Sequence, residues 1–322
     1  MIRWKAALLL LLGVLSVPAF GASPVRPGTI NYVEGSADLA GQPITMQSVR
    51  SVEVGPGQTL VTNQGKVEVL LTPGIFLRLG ENSAIQMISP DLTNTTVALT
   101  RGEAMVEVDQ IFSQNKVQVL VGDVSTQLLK PGLYGFDAGR NRLAVFDGKA
   151  AVREGDNQFI VVKGHRDFAL AANDDVKPQK LNVSASKGDD LYKWSSLRSQ
   201  YLAESNSDIA GEYAGVSGFV PGWYWDPYFV NYTYIGAGPF FSPFGWGFYP
   251  PYFFDDGFYG YGRGFYGRGF YGRGFYGGRG FEGGHAYHGA VASGGFRGAG
   301  GGGFHGGGGG GFHGGGGGGG HR

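Results

Sequence analysis

The side chains with the clearest potential for binding chemistry are aromatic residues in segment 213–256, which contains almost no charge. Because Pro and Gly recur there, neither a helix nor a long strand is expected. Aromatic rings of this kind could stack on sugar rings or insert at a membrane surface. The candidate binding residues are Trp223, Trp225, Tyr228 and Trp246.

Two other interpretations of this segment remain open. It could form an extended flap over an open face or edge of a sheet, since proteins protect exposed sheet edges in this way. It could also support self-association, because a large exposed apolar patch usually marks an interface. We favour the flap.

A basic repeat follows in segment 257–322. Tyr-Gly-Arg-Gly-Phe recurs and places Arg263, Arg268 and Arg273 between aromatic rings. Cations for phosphates and rings for bases are the tools of single-stranded RNA binders. Acidic polysaccharide, or the acidic body of the chain, fits the same charges. The segment has one large aliphatic residue, Val291, so we expect it to be disordered.

Histidines in the last part of the chain could bind Zn, Ni or Cu weakly. His305, His313 and His321 recur every eight residues in Gly-rich sequence. This spacing does not build a preformed site, so a solvated tail is the ordinary interpretation.

Catalysis is not expected, and neither is a cofactor. The body has one histidine, His165, in a turn sequence, and it contains neither Gly-x-Ser-x-Gly nor His-Glu-x-x-His. The chain has no cysteine, which excludes thiolate chemistry, disulfides and Cys-ligated zinc.

The N-terminus has the order of a secretory signal peptide at residues 1–21. Arg3 and Lys5 precede an uncharged run, and Ala19 and Gly21 suit a cleavage site after Gly21. The apolar run is too short to span a membrane. We therefore predict a periplasmic or secreted protein with no transmembrane helix, beginning with a lead-in at 22–27.

The body has the period-two alternation of half-buried β-strands. In 66–79, three residues on each side of the Pro73-Gly74 turn point inwards, and Lys66, Glu68 and Arg78 take the other face. The inward set is Val67, Val69, Leu71, Ile75, Leu77 and Leu79. Asp147-Gly148 is a hairpin signal. The pattern predicts an all-β domain over 28–175, an antiparallel sandwich or jelly-roll with the character of a double-stranded β-helix.

The period changes after a linker at 176–188. Apolar residues at helical spacing predict one amphipathic helix over 189–204, begun by Asp189 and Asp190 and docked on the sheet by Trp194 and Leu197.

The body resembles the FecR domain, an extracytoplasmic all-β module of bacteria. The resemblance covers roughly 27–172. It rests on 28–39 (GTINYVEGSADL), 58–62 (QTLVT), 66–79, 99–108 (LTRGEAMVEV), 117–136 and 144–152 (AVFDGKAAV).

The resemblance implies a module without catalysis. Family members that regulate sigma factors sense an outer-membrane transporter with their periplasmic part and act through a cytoplasmic N-terminal part. Since this sequence shows neither that N-terminal part nor a spanning helix, we do not expect the sigma-regulator role.

The charge distribution separates the body from the tail. Residues 22–256 carry 18 basic and 25 acidic residues, whereas 257–322 carry six arginines and one acid. We therefore predict an exported, non-catalytic binding or scaffold protein of the cell envelope. Its partner would be an envelope glycan or protein, and its aromatic and Gly-rich parts would serve surface contact, glycan binding or self-association. The alternatives are a periplasmic signalling component linked to transporter and sigma-factor regulation, and RNA binding if the N-terminus is not a signal. With a signal peptide the tail lies outside the cytoplasm, and no nucleic-acid partner is expected.

Overall fold

The computed structural model describes residues 25–154, 159–170 and 176–255. Chain contacts divide the molecule into Met1–Arg273 and Gly274–Arg322, and the second unit lies wholly outside the described residues. The signal sequence at 1–21 and the repeat and histidine tail at 257–322 also lie outside them.

The described part of the body is all-β, as the alternation predicted. One sheet contains the strands β1 Ile30–Leu39, β2 Gln42–Ile44, β3 Thr59–Leu70, β4 Ile75–Leu79, β5 Ala84–Asp91, β6 Asn94–Arg101, β7 Glu103–Val108, β8 Lys116–Val121, β9 Val124–Leu128, β10 Gly132–Asp137, β11 Arg142–Val145, β12 Lys149–Glu154, β13 Ile160–Lys163, β14 Arg166–Ala169 and β15 Gln179–Lys180.

The sheet folds back on itself around one core. Its strand order is β13-β12-β9-β8-β6-β5-β3-β4-β7-β10-β11-β14-β15, with β1 paired to β2 and β3. Side chains from both halves meet in the same apolar cluster, for example Val119 and Val152 with Leu77 and Val106. The described strand pairs are antiparallel except β6 with β8, which is parallel.

The predicted inward residues are core. All six, Val67 to Leu79 on alternate positions around the turn, have no exposed surface. Gly74 has φ +83°, as the Pro-Gly turn requires, because L-residues with side chains rarely adopt this conformation.

The hairpin predicted at Asp147-Gly148 is wrong. β11 pairs with β10 and β14, whereas β12 pairs with β9 and β13, so the dipeptide carries the chain between the two halves. Gly148 has φ +96°, and a Cβ there would lie 2.2 Å from the Tyr134 hydroxyl. The glycine therefore serves close packing at the crossing rather than a hairpin turn.

Helical and aromatic elements follow the sheet. The predicted linker contains β15 and a short helix, α1 Val183–Ser186. The main helix, α2 Asp190–Glu212, continues beyond the predicted end at 204. The aromatic segment forms two small pairs, β16 Gly222–Asp226 with β17 Asn231–Ile235 and β18 Phe240–Phe241 with β19 Gly247–Phe248. In the described part of the chain, no helix has the length and apolarity needed to cross a membrane.

Helix α2 packs with a partly polar face. The Asp189 carboxylate caps it by accepting a hydrogen bond from the backbone of Tyr192 at 3.2 Å. Trp194 is buried as predicted, but Leu197 is 45% exposed, so the prediction that Leu197 docks the helix is wrong. The helix instead buries Ser195, Arg198, Ser199, Ser205 and Asn206. Apolar periodicity underestimated its length because this buried face is largely polar.

Candidate functional site

The outer face of β3, β4 and β7 carries a buried ionic cluster. Arg78 has no exposed surface, and its Nε donates to Glu68 Oε2 at 2.8 Å while Nη1 pairs with Glu107. Glu68 and Arg78 thus lie on the face opposite the core, as the alternation predicted, but this face is buried rather than open to solvent. They are paired across β3 and β4 in register, and α2 covers them.

Helix α2 supplies the second cation of this cluster. Arg198 Nη2 donates to Glu68 Oε1 at 2.9 Å, and the Ser199 hydroxyl donates to Glu107 Oε1 at 2.6 Å. The Arg198 guanidinium also lies over the Tyr32 ring, 4.0 Å from its centroid. The two carboxylates thus bind the helix to the sheet.

Charge balance in the cluster depends on Asp109. Burial and then the nearby Glu107 carboxylate raise the pKa of Asp109 well above its usual value. Burial alone would raise the pKa of Glu68, but Arg198 and Arg78 outweigh it and lower that pKa. With Asp109 protonated, two arginines balance two carboxylates, which is how buried charge is tolerated.

The cluster also holds the aromatic segment. Asn31 Nδ2 donates to Glu68 at 2.9 Å and to the Tyr232 carbonyl at 3.0 Å, and its Oδ1 accepts from the Tyr232 N–H at 2.6 Å. On the other side, the Ser199 and Ser242 hydroxyls are 3.1 Å apart. The cluster therefore holds the helix and the aromatic segment on the sheet. Because it has no access to solvent, it has no room for a substrate.

Two of the predicted binding residues lie in the pair β16–β17, which packs over the outer face of the sheet and is called the cover below. Trp223 packs edge-on against Phe76, with ring centroids 5.1 Å apart, and Trp225 packs edge-on against Tyr232 at 5.1 Å. Arg50 lies over the outer side of Trp225 at 5.1 Å. The flap interpretation is therefore confirmed for β16 and β17.

The other two predicted residues lie apart from this pair. Trp246 is half-buried, and its indole N–H donates to the Ser196 carbonyl at 3.2 Å. Tyr228 is 83% exposed. The four aromatic residues do not form one platform. Arg263, Arg268, Arg273, His305, His313 and His321 lie outside the described residues, so their binding roles stay predictions.

The structure brings together a different set of rings. A cleft of about 490 Å³ lies between the end of α2 and the Pro-rich turn at 250–251, lined by Tyr213, Phe219, Pro221, Pro251 and Tyr252, with Ser217 and Asp255 as polar groups. Tyr213 and Phe219 rings are 6.1 Å apart, and Tyr252 is 51% exposed.

Sequence reasoning missed this cleft. Tyr213, Phe219 and Tyr252 come from three separate stretches, and no spacing links them. Only their shared surroundings of Gly and Pro could have indicated that their rings remain partly exposed.

Metal ligands and histidines are sparse among the described residues. No group of three or more His, Asp or Glu side chains there could hold a metal ion. His165 is exposed at φ +61° on the crossing between β13 and β14.

Residues 58–151 match the family model described as FecR protein. This part of the chain is therefore a FecR domain, as the resemblance in the sequence predicted. The match covers strands β3 to β12, which include the residues of the ionic cluster on the sheet.

Solved structures give a weaker likeness. Two crystal structures of a candidate anti-sigma factor from Parabacteroides distasonis ATCC 8503 match with TM-scores of 0.34 and 0.33 at 14% and 15% identity. They cover 40% and 39% of this chain, and the chain covers 62% of each of theirs. No curated relative matches the chain.

Proposed function

We propose that this chain is an exported, non-catalytic FecR-type binding protein of the cell envelope. The aromatic cleft at Tyr213, Phe219 and Tyr252 would contact an envelope glycan. The observation that carries the proposal is that Tyr213 and Tyr252 are 36% and 51% exposed and line one concave site together with the half-buried Phe219, whose ring also stacks on Tyr224.

The chemistry of the cleft suits a sugar. Tyrosine and phenylalanine faces offer apolar contact to the C–H side of a pyranose ring, and the Tyr hydroxyls can bind its hydroxyl groups. Ser217 and Asp255 add a hydroxyl and a carboxylate at the same cleft. Concave sites with few polar groups among apolar walls are typical of small-ligand binding.

The tail extends this proposal. The chain continues from Asp255, at the rim of the cleft, into the Arg-Gly-Phe-Tyr repeats. A basic tail linked in sequence to Asp255 would add attraction to acidic envelope polymers, since linked binding elements raise overall affinity.

The test is sedimentation of the purified mature chain with peptidoglycan and with outer-membrane fragments. We expect Tyr252→Ala to weaken binding about fivefold or more, because one ring face is lost from the site. Tyr228→Ala is the matched control, since Tyr228 is also an exposed tyrosine of the aromatic segment but does not line the cleft.

Equal effects of Tyr252→Ala and Tyr228→Ala would contradict a role for the cleft. Deletion of 257–322 in the same assay separates the tail from the cleft. Capture of an outer-membrane transporter instead of glycan would favour the second candidate, a periplasmic signalling component, which the FecR match at 58–151 supports.

A further inference from the structure

Helix α2 packs on β4 and β7, whereas the half of the sheet that ends in β12 and β13 turns an outer surface to solvent. Val162 of β13 points into the core together with Ala150 and Val152 of β12. The alternate positions of these two strands therefore face outwards. They are Lys149, Ala151 and Arg153 on β12, with Phe159, Val161 and Lys163 on and just before β13. We call this surface the open face.

The open face brings three cations together. Lys149 and Lys163 are direct cross-strand partners, and the Arg153 guanidinium lies 5.0 Å from the centroid of the Phe159 ring. Like charges directly opposite each other in a sheet are destabilising. Neither lysine forms an ion pair with another of the described residues. The fold therefore gains no electrostatic stabilisation from placing them together, whereas a bound anion would relieve their repulsion.

The strands beside the open face continue its charge pattern. The outward positions of β8 and β9 are Lys116, Gln118, Leu120, Ser125 and Gln127, so they add a cation and no acid. Asp123 and Asp147 lie between strands rather than on this surface, and Asp147 Oδ1 accepts a hydrogen bond from the Gly148 N–H at 2.7 Å. Residues 22–256 as a whole carry 18 basic and 25 acidic residues. This surface is therefore a local cationic patch on an acidic body, and it attracts anions.

Two large apolar side chains lie among these cations. Phe159 is 55% exposed and Val161 is 43% exposed. Lysine on an edge strand commonly protects a sheet from pairing with other chains, but that protection does not place large apolar residues at the edge. An acidic polysaccharide would satisfy the cations and offer no apolar phase to Val161. Cations beside exposed apolar side chains suit a membrane surface, where phosphate groups meet acyl chains.

We propose that the open face docks the protein on an anionic phospholipid surface. Lys149, Lys163 and Arg153 contact the phosphate groups of the lipids. Phe159 and Val161 enter the boundary between headgroups and acyl chains. The contact is peripheral and reversible, because it combines a few basic side chains with a small apolar area.

The test places a fluorescent reporter on the open face. The chain has no cysteine, so Val161→Cys gives the full mature chain one thiol, which is labelled with the environment-sensitive dye nitrobenzoxadiazole. We expect its emission to rise and shift to shorter wavelength with vesicles of phosphatidylcholine and phosphatidylglycerol in equal parts, and to stay unchanged with phosphatidylcholine alone. Leu197→Cys on α2 is the matched control, since Leu197 is an aliphatic residue with 45% exposure, and its label should stay in water.

Charge reversal tests the cations, with vesicle affinity measured by the label at position 161. Lys163→Glu should weaken binding about fivefold or more, because each basic residue near an anionic surface contributes about this factor. Lys193→Glu changes an exposed lysine of α2 by the same charge and should weaken binding about twofold or less. The label separates the open face from the basic tail, since a tail that holds the chain on a vesicle does not take position 161 out of water.

Unchanged emission of the label at position 161 with anionic vesicles would overturn the proposal, as would equal effects of Lys163→Glu and Lys193→Glu. A response to a soluble acidic polysaccharide but not to vesicles would also overturn it and assign the open face to a glycan. The proposal is independent of the aromatic cleft, because Tyr252→Ala should leave the response to vesicles unchanged.

Discussion

Arg78 lies between two carboxylates and has no exposed surface. The charged side chains of this cluster come from separate parts of the chain. Glu68 and Glu107 come from the neighbouring strands, and Arg198 comes from the helix. The cluster is neutral only when the fifth group, Asp109, holds its proton. At this scale, protonation of one buried acid decides whether the cluster is balanced.

Asp109→Asn should therefore stabilise the protein at neutral pH. The unfolded chain gains by ionising Asp109, whereas the raised pKa of Asp109 opposes ionisation in the folded chain, so an uncharged amide removes this difference. We expect a gain of about 1 kcal/mol or more in the free energy of unfolding. Glu107→Gln should do the reverse and lose about 3–5 kcal/mol, because Arg78 is left underpaired. Urea denaturation at pH 7 measures both, and destabilisation by Asp109→Asn would contradict the assignment.

At the scale of elements, helix α2 is held by its polar face as much as by its apolar face. Arg198 is 4% exposed, whereas the adjacent Leu197 is 45% exposed. The polar residues at its centre contact the sheet carboxylates and, through Ser199 and Ser242, the aromatic segment. The helix therefore joins the FecR domain to the cover.

Truncating a helix leucine usually destabilises a protein more than truncating a helix arginine. For Leu197 and Arg198 we expect the reverse. Arg198→Ala should cost about 3 kcal/mol or more, since Glu68 loses one of its two cations. Leu197→Ala should change stability by less than about 1 kcal/mol, because the side chain is half in water. Both are measured by the midpoint of urea unfolding. A larger loss for Leu197→Ala would show that apolar docking dominates.

At the scale of the whole molecule, the ionic cluster gives stability a maximum in pH. The pKa of Glu68 is lowered in the folded state, so its contribution is complete above about pH 4.3 and lost as pH falls through the folded pKa. The pKa of Asp109 is raised, so stability falls as pH rises from about 3.9 towards its folded pKa.

One variant separates the effects of Glu68 and Asp109 on stability. Asp109→Asn should keep the loss of stability at acid pH and remove the decline at higher pH. In that upper range, the free energy of unfolding of the wild type should fall relative to that of the variant by about 1.4 kcal/mol per pH unit. Thermal or urea unfolding between pH 3 and pH 8 measures this difference. Parallel curves for the two proteins would show that Asp109 is ionised in the folded state.

The all-β body and a flap over it were predictable from the sequence, whereas the buried polar contacts beneath the flap were not. Alternation identified core residues such as Val67 and Leu77, because period two directly reports which side chains face inwards. The same alternation correctly placed Glu68 and Arg78 on the outer face, but it could not show that a second layer buries them, since such a layer leaves no mark on the strands it covers. Their partner Arg198 is 130 residues from Glu68.

The candidate site shows the same limit. Composition indicated that aromatic residues near 213–256 matter, but it could not say which rings pack and which remain open. Trp223 and Trp225 were natural candidates, yet large rings are also what best fills a cover. Tyr252 became a candidate only after the fold placed it beside Tyr213.

The bond between Asn31 and Tyr232 has a consequence for the order of assembly. It joins residues 201 positions apart, near the two ends of the described chain. A ribosome making this chain has finished the whole sheet and helix α2 before Tyr232 exists, so the contacts between Asn31 and the aromatic segment are the last to become possible. Closing so long a loop is entropically slow and late. Only a chain complete through Tyr232 can therefore satisfy the buried amide of Asn31, which binds both the carbonyl and the N–H of that residue.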